Sequence, residues 1–125
     1  MIPDAVRAAL REHAKAEAPN EACGLIAVRD GVAERYVPGI NELASPYRFR
    51  WRPVDPLDAF LEDEGYEIAI FHTHPETAAK PSRTDLANIG EYEGYPYVIY
   101  SVAQDDLRLW RIRDGAATEE PLERS

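Results

Sequence analysis

The sequence contains very little cysteine. Cys23 is the one cysteine among 125 residues, so the chain cannot form an internal disulfide. This agrees with a protein of a reducing compartment. It also excludes a zinc deaminase, because that class of enzyme needs a Pro-Cys-x-x-Cys pair of metal ligands.

Basic residues are scarce relative to acidic ones. Fourteen Lys and Arg residues stand against 23 Asp and Glu residues, which gives a formal net charge of -9. Such a field repels a phosphate backbone, so nucleic-acid binding would require a basic patch built against it. We therefore expect no nucleic-acid partner.

Long apolar runs are also missing. No stretch approaches the ~20 apolar residues of a membrane span, and the N-terminus lacks the regions of a secretory signal. We therefore expect a cytoplasmic protein that does not enter a membrane.

The residues that are present fit one folded unit. Hydrophobic residues make up 45% of the chain, which is enough to fill a single core at this length. The sequence contains no internal repeat, low-complexity tract or linker. We therefore treat residues 1–125 as a single domain.

The N-terminal half predicts a helix followed by strands. Val6, Leu10 and Ala14 have helical spacing, and Pro19 ends that helix. Two apolar stretches then flank an Asp30-Gly31 turn, which is a strong signal of an antiparallel hairpin. Residues 38–56 predict a loop with a strand embedded at RFRW, and residues 55–65 predict a short helix.

The C-terminal half predicts more strands around a second helix start. The segment EIAIFHTH at residues 67–74 has the composition of a buried strand, and PSRTD has the pattern of a helix start. Three further strands follow in YPYVIYSVA, LRLWRIRDG and ATEEPLE. The predicted fold class is mixed α/β (α+β), with helices flanking a mostly antiparallel or mixed sheet.

The end of the residue 67–74 strand suggests a metal site. Because strand side chains alternate, His72 and His74 project from one face, roughly 6.6 Å apart along the backbone. A third ligand is available in Asp85, in the first turn of the helix after Ser82. Each feature has a simpler explanation on its own, since Ser82 can merely cap the helix and Asp85 can merely complement its dipole.

The combination is more specific than its parts. His72-x-His74, then seven residues, then Ser82-x-x-Asp85 resembles the JAMM motif of the JAB1/MPN/Mov34 metalloprotease family. Glu21, in Asn-Glu-Ala-Cys-Gly, lies upstream where that family keeps a catalytic glutamate. The chain most resembles small bacterial members that release cysteine from a ubiquitin-like sulfur-carrier protein. The implied architecture is the JAB1/MPN, cytidine-deaminase-like fold with a curved mixed sheet.

The resemblance also implies a mechanism. Zn²⁺ would be the one cofactor, held by His72, His74 and Asp85, while Glu21 moves the proton and Ser82 stabilises the oxyanion. The implied reaction is hydrolysis of an amide bond at the C-terminal tail of a sulfur carrier or another ubiquitin-like protein, which serves cysteine biosynthesis in the first case. Related proteins often pair, so a homodimer is compatible with the resemblance. The alternative is a non-catalytic MPN-type scaffold module.

Five other residues receive expectations of their own. Cys23 is expected to be a small buried residue, Thr73 to pack in the core, and His13 to face solvent on the first helix. Arg48 and Arg50, in the run YRFRWR, either dock an extended peptide tail or belong to an amphipathic strand that offsets nearby acids.

Overall fold

The fold was derived from a computed structural model that describes residues 2–46, 48–53 and 61–122. It contains two α-helices and seven strands: α1 Asp4–Glu17, β1 Cys23–Arg29, β2 Val32–Asn41, β3 Trp51–Pro53, β4 Glu67–His74, α2 Arg83–Ala87, β5 Pro96–Ser101, β6 Asp106–Arg113 and β7 Ala116–Glu120. Two short 3₁₀ turns span Glu62–Glu64 and Gly90–Tyr92.

All seven strands form one sheet in the order β3-β2-β1-β4-β5-β6-β7. Neighbouring strands are antiparallel except β4 and β5, which are parallel. A parallel pair requires a crossover connection, and here residues 75–95 provide it and carry α2. The predicted mixed sheet with flanking helices is confirmed.

Helix α1 covers one face of the sheet. Its buried residues follow the predicted helical spacing and pack against alternate residues of the central strands. The core on this face comprises Ile2, Val6, Leu10, Ala14, Ile26, Ala33, Ala69, Phe71, Val98 and Tyr100. No helix within the described ranges is both long and apolar enough to cross a membrane.

The opposite face of the sheet carries a second core. It is covered by α2 and the irregular segments around it, and comprises Leu25, Ala27, Val37, Leu61, Ile68, Ile70, Ala79, Tyr97, Ile99, Trp110 and Ile112. In β4, Ile68 and Ile70 belong to this core. The next residue, Phe71, belongs to the core on the α1 side. The same alternation directs His72 and His74 to the face away from α1.

The predicted hairpin is confirmed. Strands β1 and β2 are antiparallel, and the turn residues Asp30 and Gly31 have φ values of 53° and 77°. Positive φ at both positions is the geometry that matches the twist of paired strands.

The helix predicted near Asp55 lies partly outside the described residues, and the strand predicted at RFRW needs correction. The helix predicted to start near Asp55 falls on residues 54–60, which lie outside the described residues, and the described part is a 3₁₀ turn that ends at Gly65. The strand predicted at RFRW begins only at Trp51, where three residues pair with the end of β2.

The prediction that His13 faces solvent is wrong. Its ring Nδ1 lies 2.6 Å from the phenol oxygen of Tyr36, and its side chain is only 13% exposed. The partner comes from β2, across the interface between α1 and the sheet, and this long-range contact is invisible in the local spacing of the helix.

Leu10 provides a test of the packing between α1 and the sheet. Its side chain is fully buried, so Leu10→Ala is expected to lower the free energy of unfolding by about 2–5 kcal/mol. Leu107→Ala is the matched control, because Leu107 is only partly buried against the same core and should cost less. Urea denaturation would measure both, and equal losses would contradict this account of the core.

Candidate metal centre

The histidines at the end of β4 converge at a buried point. His72 is fully buried and His74 is 3% exposed. Their Nε2 atoms lie 3.1 Å apart. The alternation of side chains along β4 thus brings together the two imidazoles that the sequence predicted to share a face.

Asp85 completes the cluster from α2. Its Oδ2 atom lies 3.3 Å from Nε2 of His72 and 3.0 Å from Nε2 of His74. The same oxygen accepts a hydrogen bond from the Ser82 backbone N–H at 2.9 Å, while the Asp85 N–H donates to Ser82 Oγ at 3.1 Å. This reciprocal pair is a capping box, and it aims the carboxylate at the histidines.

The loop after β4 fixes the protonation pattern of His74. Its Nδ1 lies 2.7 Å from the carbonyl oxygen of Ala78. A carbonyl can only accept, so Nδ1 carries the hydrogen and donates it. In neutral His74 the lone pair is therefore on Nε2, which faces Asp85. This is the tautomer that a metal ligand needs, with the other nitrogen bound to a carbonyl.

The electrostatics of the three groups are strongly coupled. Burial alone would raise the pKa of Asp85, but the charge of His72 and hydrogen bonds from both histidines and Ser82 hold it well below its usual range. Burial lowers the pKa of His72 despite the opposing charge of Asp85. Burial also disfavours the charged form of His74, but hydrogen bonds to Asp85 and Ala78 outweigh it and raise its pKa.

Glu21 lies beside this cluster just before β1. The β1–β4 register pairs Cys23 with His72. The Thr73 N–H donates to the Ala22 carbonyl, so Glu21 directly precedes the residue bonded to Thr73. Glu21 is 2% exposed, and its Oε1 has no hydrogen-bond partner among the described residues. Burial raises the pKa of Glu21 to about 9, and the negative charge of Asp85 adds to the shift.

Thr73 has a role that the sequence analysis missed. It is fully buried on the face opposite the histidines, as predicted. However, its Oγ1 accepts a hydrogen bond from the Ala22 N–H at 2.8 Å, and its own N–H donates to the Ala22 carbonyl at 3.0 Å. Thr73, which lies between the two histidines in β4, therefore holds Ala22, the residue after Glu21, through two hydrogen bonds.

Aromatic rings enclose His72. The Phe49 ring stacks on the imidazole with centroids 4.6 Å apart and planes inclined by 20°, and the Tyr97 ring is tilted at 5.0 Å. The aromatic and basic run containing Phe49 was noticed in the sequence, but nothing local indicates that its ring reaches a histidine of β4.

The two remaining residues with predicted roles also lie in this region. The Ser82 hydroxyl oxygen accepts the cap hydrogen bond, which leaves its hydrogen available to donate to another group. Cys23 is fully buried as predicted, and burial together with the charges of Glu21 and Glu17 raises the pKa of its thiol to about 12. A thiol that stays protonated is a poor nucleophile.

An open groove of about 450 Å³ borders the cluster. On one side it is lined by residues 42–43 and 48–51, and on the other by residues from 84 to 97, including Asp85 and Tyr97. Both Arg48 and Arg50 lie on its rim and are exposed. Asp85 is the residue of the cluster that lines the groove, so the groove approaches the cluster from the side of α2.

Comparison with known proteins identifies the family. Residues 3–113 match the family described as prokaryotic homologs of the JAB domain, which spans most of the chain. The chain belongs to this family. The family resemblance predicted from Glu21, the two histidines and the Ser82-x-x-Asp85 pattern is thus confirmed.

The relatives of this JAB-family chain include proteins named as peptidases or proteases. The CysO-cysteine peptidase of Mycobacterium tuberculosis is 37% identical over 122 residues, covering 91% of this chain and 83% of the relative. A probable TtuB-protein conjugate cleaving protease of Thermus thermophilus is 35% identical over 118 residues, covering 91% and 76%. The chain is a hydrolase of the JAMM type, and the scaffold alternative is set aside on this ground.

Solved structures give the same architecture. A solution structure of protein DSY2949 from Desulfitobacterium hafniense has a TM-score of 0.81 at 29% identity, covering 100% of this chain and 93% of the other. The JAB1/MPN domain protein AF2198 from Archaeoglobus fulgidus has a TM-score of 0.64 at 16% identity, covering 99% and 94%. The predicted JAB1/MPN fold is confirmed.

The raised pKa of Glu21 makes the stability of the metal-free protein depend on pH. Between its ordinary pKa of 4.5 and the folded value of about 9, the folded protein keeps a proton that the unfolded chain releases. Stability attributable to Glu21 therefore falls as pH rises through this window, by up to about 1.4 kcal/mol per pH unit.

Glu21→Gln should remove this contribution, because glutamine is neutral at every pH. Urea denaturation of chelator-treated wild type and variant at about pH 5 and about pH 8 would measure the difference. We expect the wild type to lose more stability than the variant between the two conditions. Parallel losses in both proteins would show that Glu21 does not carry the proton.

Proposed function

We propose that the protein is a zinc-dependent peptidase that hydrolyses an amide bond at the C-terminal tail of a ubiquitin-like sulfur-carrier protein. His72, His74 and Asp85 would hold the metal, and Glu21 and Ser82 would act on the substrate. The observation that carries the proposal is the meeting of three donor atoms, separated by 3.0–3.3 Å, beside an open groove that Asp85 lines.

The donor set fits zinc in both chemistry and size. Two imidazole nitrogens and one carboxylate oxygen are a common ligand set for a catalytic zinc with one position left for water. Tetrahedral ligands at their usual distances of 2.0–2.1 Å from zinc lie about 3.3 Å from one another. The separations between the three donor atoms agree with this edge length to within 0.3 Å at 3.0–3.3 Å.

Glu21 is suited to hold and move a proton. Zinc would act as a Lewis acid and lower the pKa of a coordinated water to about 7. Oε1 of Glu21, which has no partner among the described residues, is the available acceptor for a proton from the attacking water. The pKa of Glu21 is about 9 in the metal-free protein, and the positive charge of a bound metal would lower it. The ionised carboxyl would then accept the proton and, once protonated, return it to the departing amine.

Ser82 is suited to stabilise the oxyanion of the tetrahedral intermediate. Its Oγ accepts a hydrogen bond from the Asp85 N–H, and its hydroxyl hydrogen is left to donate to another group. Preorganised donors of this kind contribute about 10²- to 10³-fold in other hydrolases. The cap and the donor role therefore use different parts of one hydroxyl group.

The names of the relatives and the shape of the groove support the substrate class. One relative is a CysO-cysteine peptidase and another is a probable TtuB-protein conjugate cleaving protease. An open groove beside the site can take an extended tail, and exposed Arg48 and Arg50 on its rim offer positive charge within an acidic protein. We place the activity in the cytoplasm, where a lone cysteine stays reduced.

The direct test is hydrolysis of defined carrier proteins. Zinc-loaded protein would be incubated with sulfur carriers that bear one extra C-terminal residue, and the products weighed by mass spectrometry. We expect loss of that residue, inhibition by a chelator and recovery with added zinc. A protein that binds far less than one zinc per chain, and gains no activity from zinc, would refute the proposal.

Glu21→Gln separates catalysis from metal binding. The variant should keep zinc, because Glu21 is not one of the three converging donors, and should lose about 10²- to 10⁴-fold in kcat. Zinc content by metal analysis and turnover of the carrier substrate would be measured on the same sample. His74→Ala is the matched comparison, since it should lose both zinc and activity.

Arg48 and Arg50 are predicted to bind substrate. Replacing both by alanine should raise KM for a carrier protein about three- to thirtyfold and leave kcat unchanged. This range corresponds to two exposed charge contacts of up to ~1 kcal/mol each. Arg11→Ala controls for lost positive charge, because Arg11 pairs with Asp105 on the α1 side of the sheet. An unchanged KM in the double variant would contradict the docking role.

A further inference from the structure

The side chain of Asn41 makes four hydrogen bonds. At the end of β2, its Nδ2 donates to the carbonyl oxygens of Glu21 and Arg48, each at 3.1 Å. Its Oδ1 accepts from the backbone N–H groups of Leu43 and Arg50, again each at 3.1 Å. One amide group therefore connects the segment before β1 with both ends of the loop after β2.

The chemistry of the position requires a side-chain amide. A primary amide offers two donor hydrogens and two acceptor lone pairs, and Asn41 uses all four. An aspartate of the same shape can accept but cannot donate when ionised, and alanine can do neither. Aspartate at this position therefore removes only the two donated bonds, whereas alanine removes all four.

Asn41 and the loop that follows it bind both backbone polar groups of Glu21. Asn41 binds its carbonyl oxygen, and the Glu21 N–H donates to the carbonyl of Ser45 at 2.8 Å. On the C-terminal side, Ala22 is fastened to Thr73 through two further hydrogen bonds. The backbone of Glu21 is thus fixed on both sides, and Oε1 of its carboxyl has no hydrogen-bond partner among the described residues.

Residues 48–50, at the other end of the loop, form the rim of the groove. Arg48 and Arg50, which Asn41 binds through backbone atoms, flank Phe49, and the Phe49 ring stacks on His72. The Glu42 N–H closes the base of the loop by donating to the Arg50 carbonyl at 3.0 Å. The placement of the rim relative to the metal ligands thus also depends on Asn41.

We propose that Asn41 is a positioning residue that sets the proton-transfer carboxyl of Glu21 and the substrate-binding rim at residues 48–50 in one fixed arrangement. This inference rests on the proposed function for the roles of Glu21 and the rim. The coupling is built into the fold, because a displacement of Asn41 moves both parts of the site together.

Hydrogen exchange of the zinc-free protein tests the arrangement without relying on activity. In Asn41→Asp, the carboxylate still accepts from the Leu43 and Arg50 N–H groups but repels the Glu21 and Arg48 carbonyls. Repulsion at the Glu21 carbonyl loosens the segment whose N–H is bonded to Ser45, so we expect exchange of the Glu21 amide to accelerate about tenfold. The Leu43 and Arg50 amides should stay protected. In Asn41→Ala all three should exchange faster.

Kinetics on a carrier substrate supply the second readout. Asn41→Asp should keep one zinc per chain, lower kcat by about 10²-fold because Glu21 is misplaced, and raise KM because the rim shifts. Tyr36→Phe is the matched control, since it loses a hydrogen bond to His13 on the α1 side and should retain wild-type kcat, KM and Glu21 exchange.

The outcomes separate the two proposals. Wild-type exchange at Glu21 and wild-type kinetics in Asn41→Asp would overturn the role of Asn41, as would a loss of activity explained by loss of zinc. A Tyr36→Phe variant with the same kinetic defect would reduce Asn41 to a general stabilising residue. If the wild type cleaves no carrier protein, the proposed function fails, and the exchange rates still decide whether Asn41 holds Glu21.

Discussion

The site depends on one oxygen atom, Oδ2 of Asp85. It accepts the N–H of Ser82 and lies within 3.3 Å of the ring nitrogens of both His72 and His74. The capping box therefore does two things at once, because the bond that starts α2 also fixes the direction of the carboxylate. Capping and metal binding, which the sequence offered as alternative explanations of Ser82-x-x-Asp85, are compatible parts of a single geometry.

The parts of the fold and site that could be predicted from sequence follow from short-range rules. Alternation along β4 placed His72 and His74 on one face, and the Asp30-Gly31 pair predicted the hairpin before them. The cap pattern predicted where α2 begins, although that helix is only five residues long. These features are local because each is set by the geometry of a few consecutive residues.

The parts that could not be predicted are contacts between segments distant in sequence. Thr73 was correctly placed on the opposite face, but its bond to Ala22 spans 51 positions. His13 was placed in solvent because its partner, Tyr36, lies on another element. Asn41 and Phe49 lay in a stretch predicted as a loop with a strand embedded at RFRW. Nothing in that pattern indicated that Phe49 reaches His72 or that Asn41 reaches Glu21.

The two carboxyl groups of the site are driven in opposite directions by their surroundings. Asp85 is buried, but the charge of His72, hydrogen bonds from the protonated forms of both histidines and the Ser82 N–H hold its pKa well below the usual range. Glu21 is equally hidden from solvent, but its Oε1 has no such donor among the described residues, so burial keeps its proton bound. A carboxylate that never takes up a proton suits a permanent ligand, whereas one with a raised pKa suits a group that must exchange one. The difference arises from hydrogen-bond donors. Ser82 and the histidines of β4 supply them to Asp85. Near Glu21, the N–H groups of Glu21 and Ala22 donate to Ser45 and Thr73 instead, and the Asn41 amide donates to the Glu21 carbonyl rather than to its carboxyl.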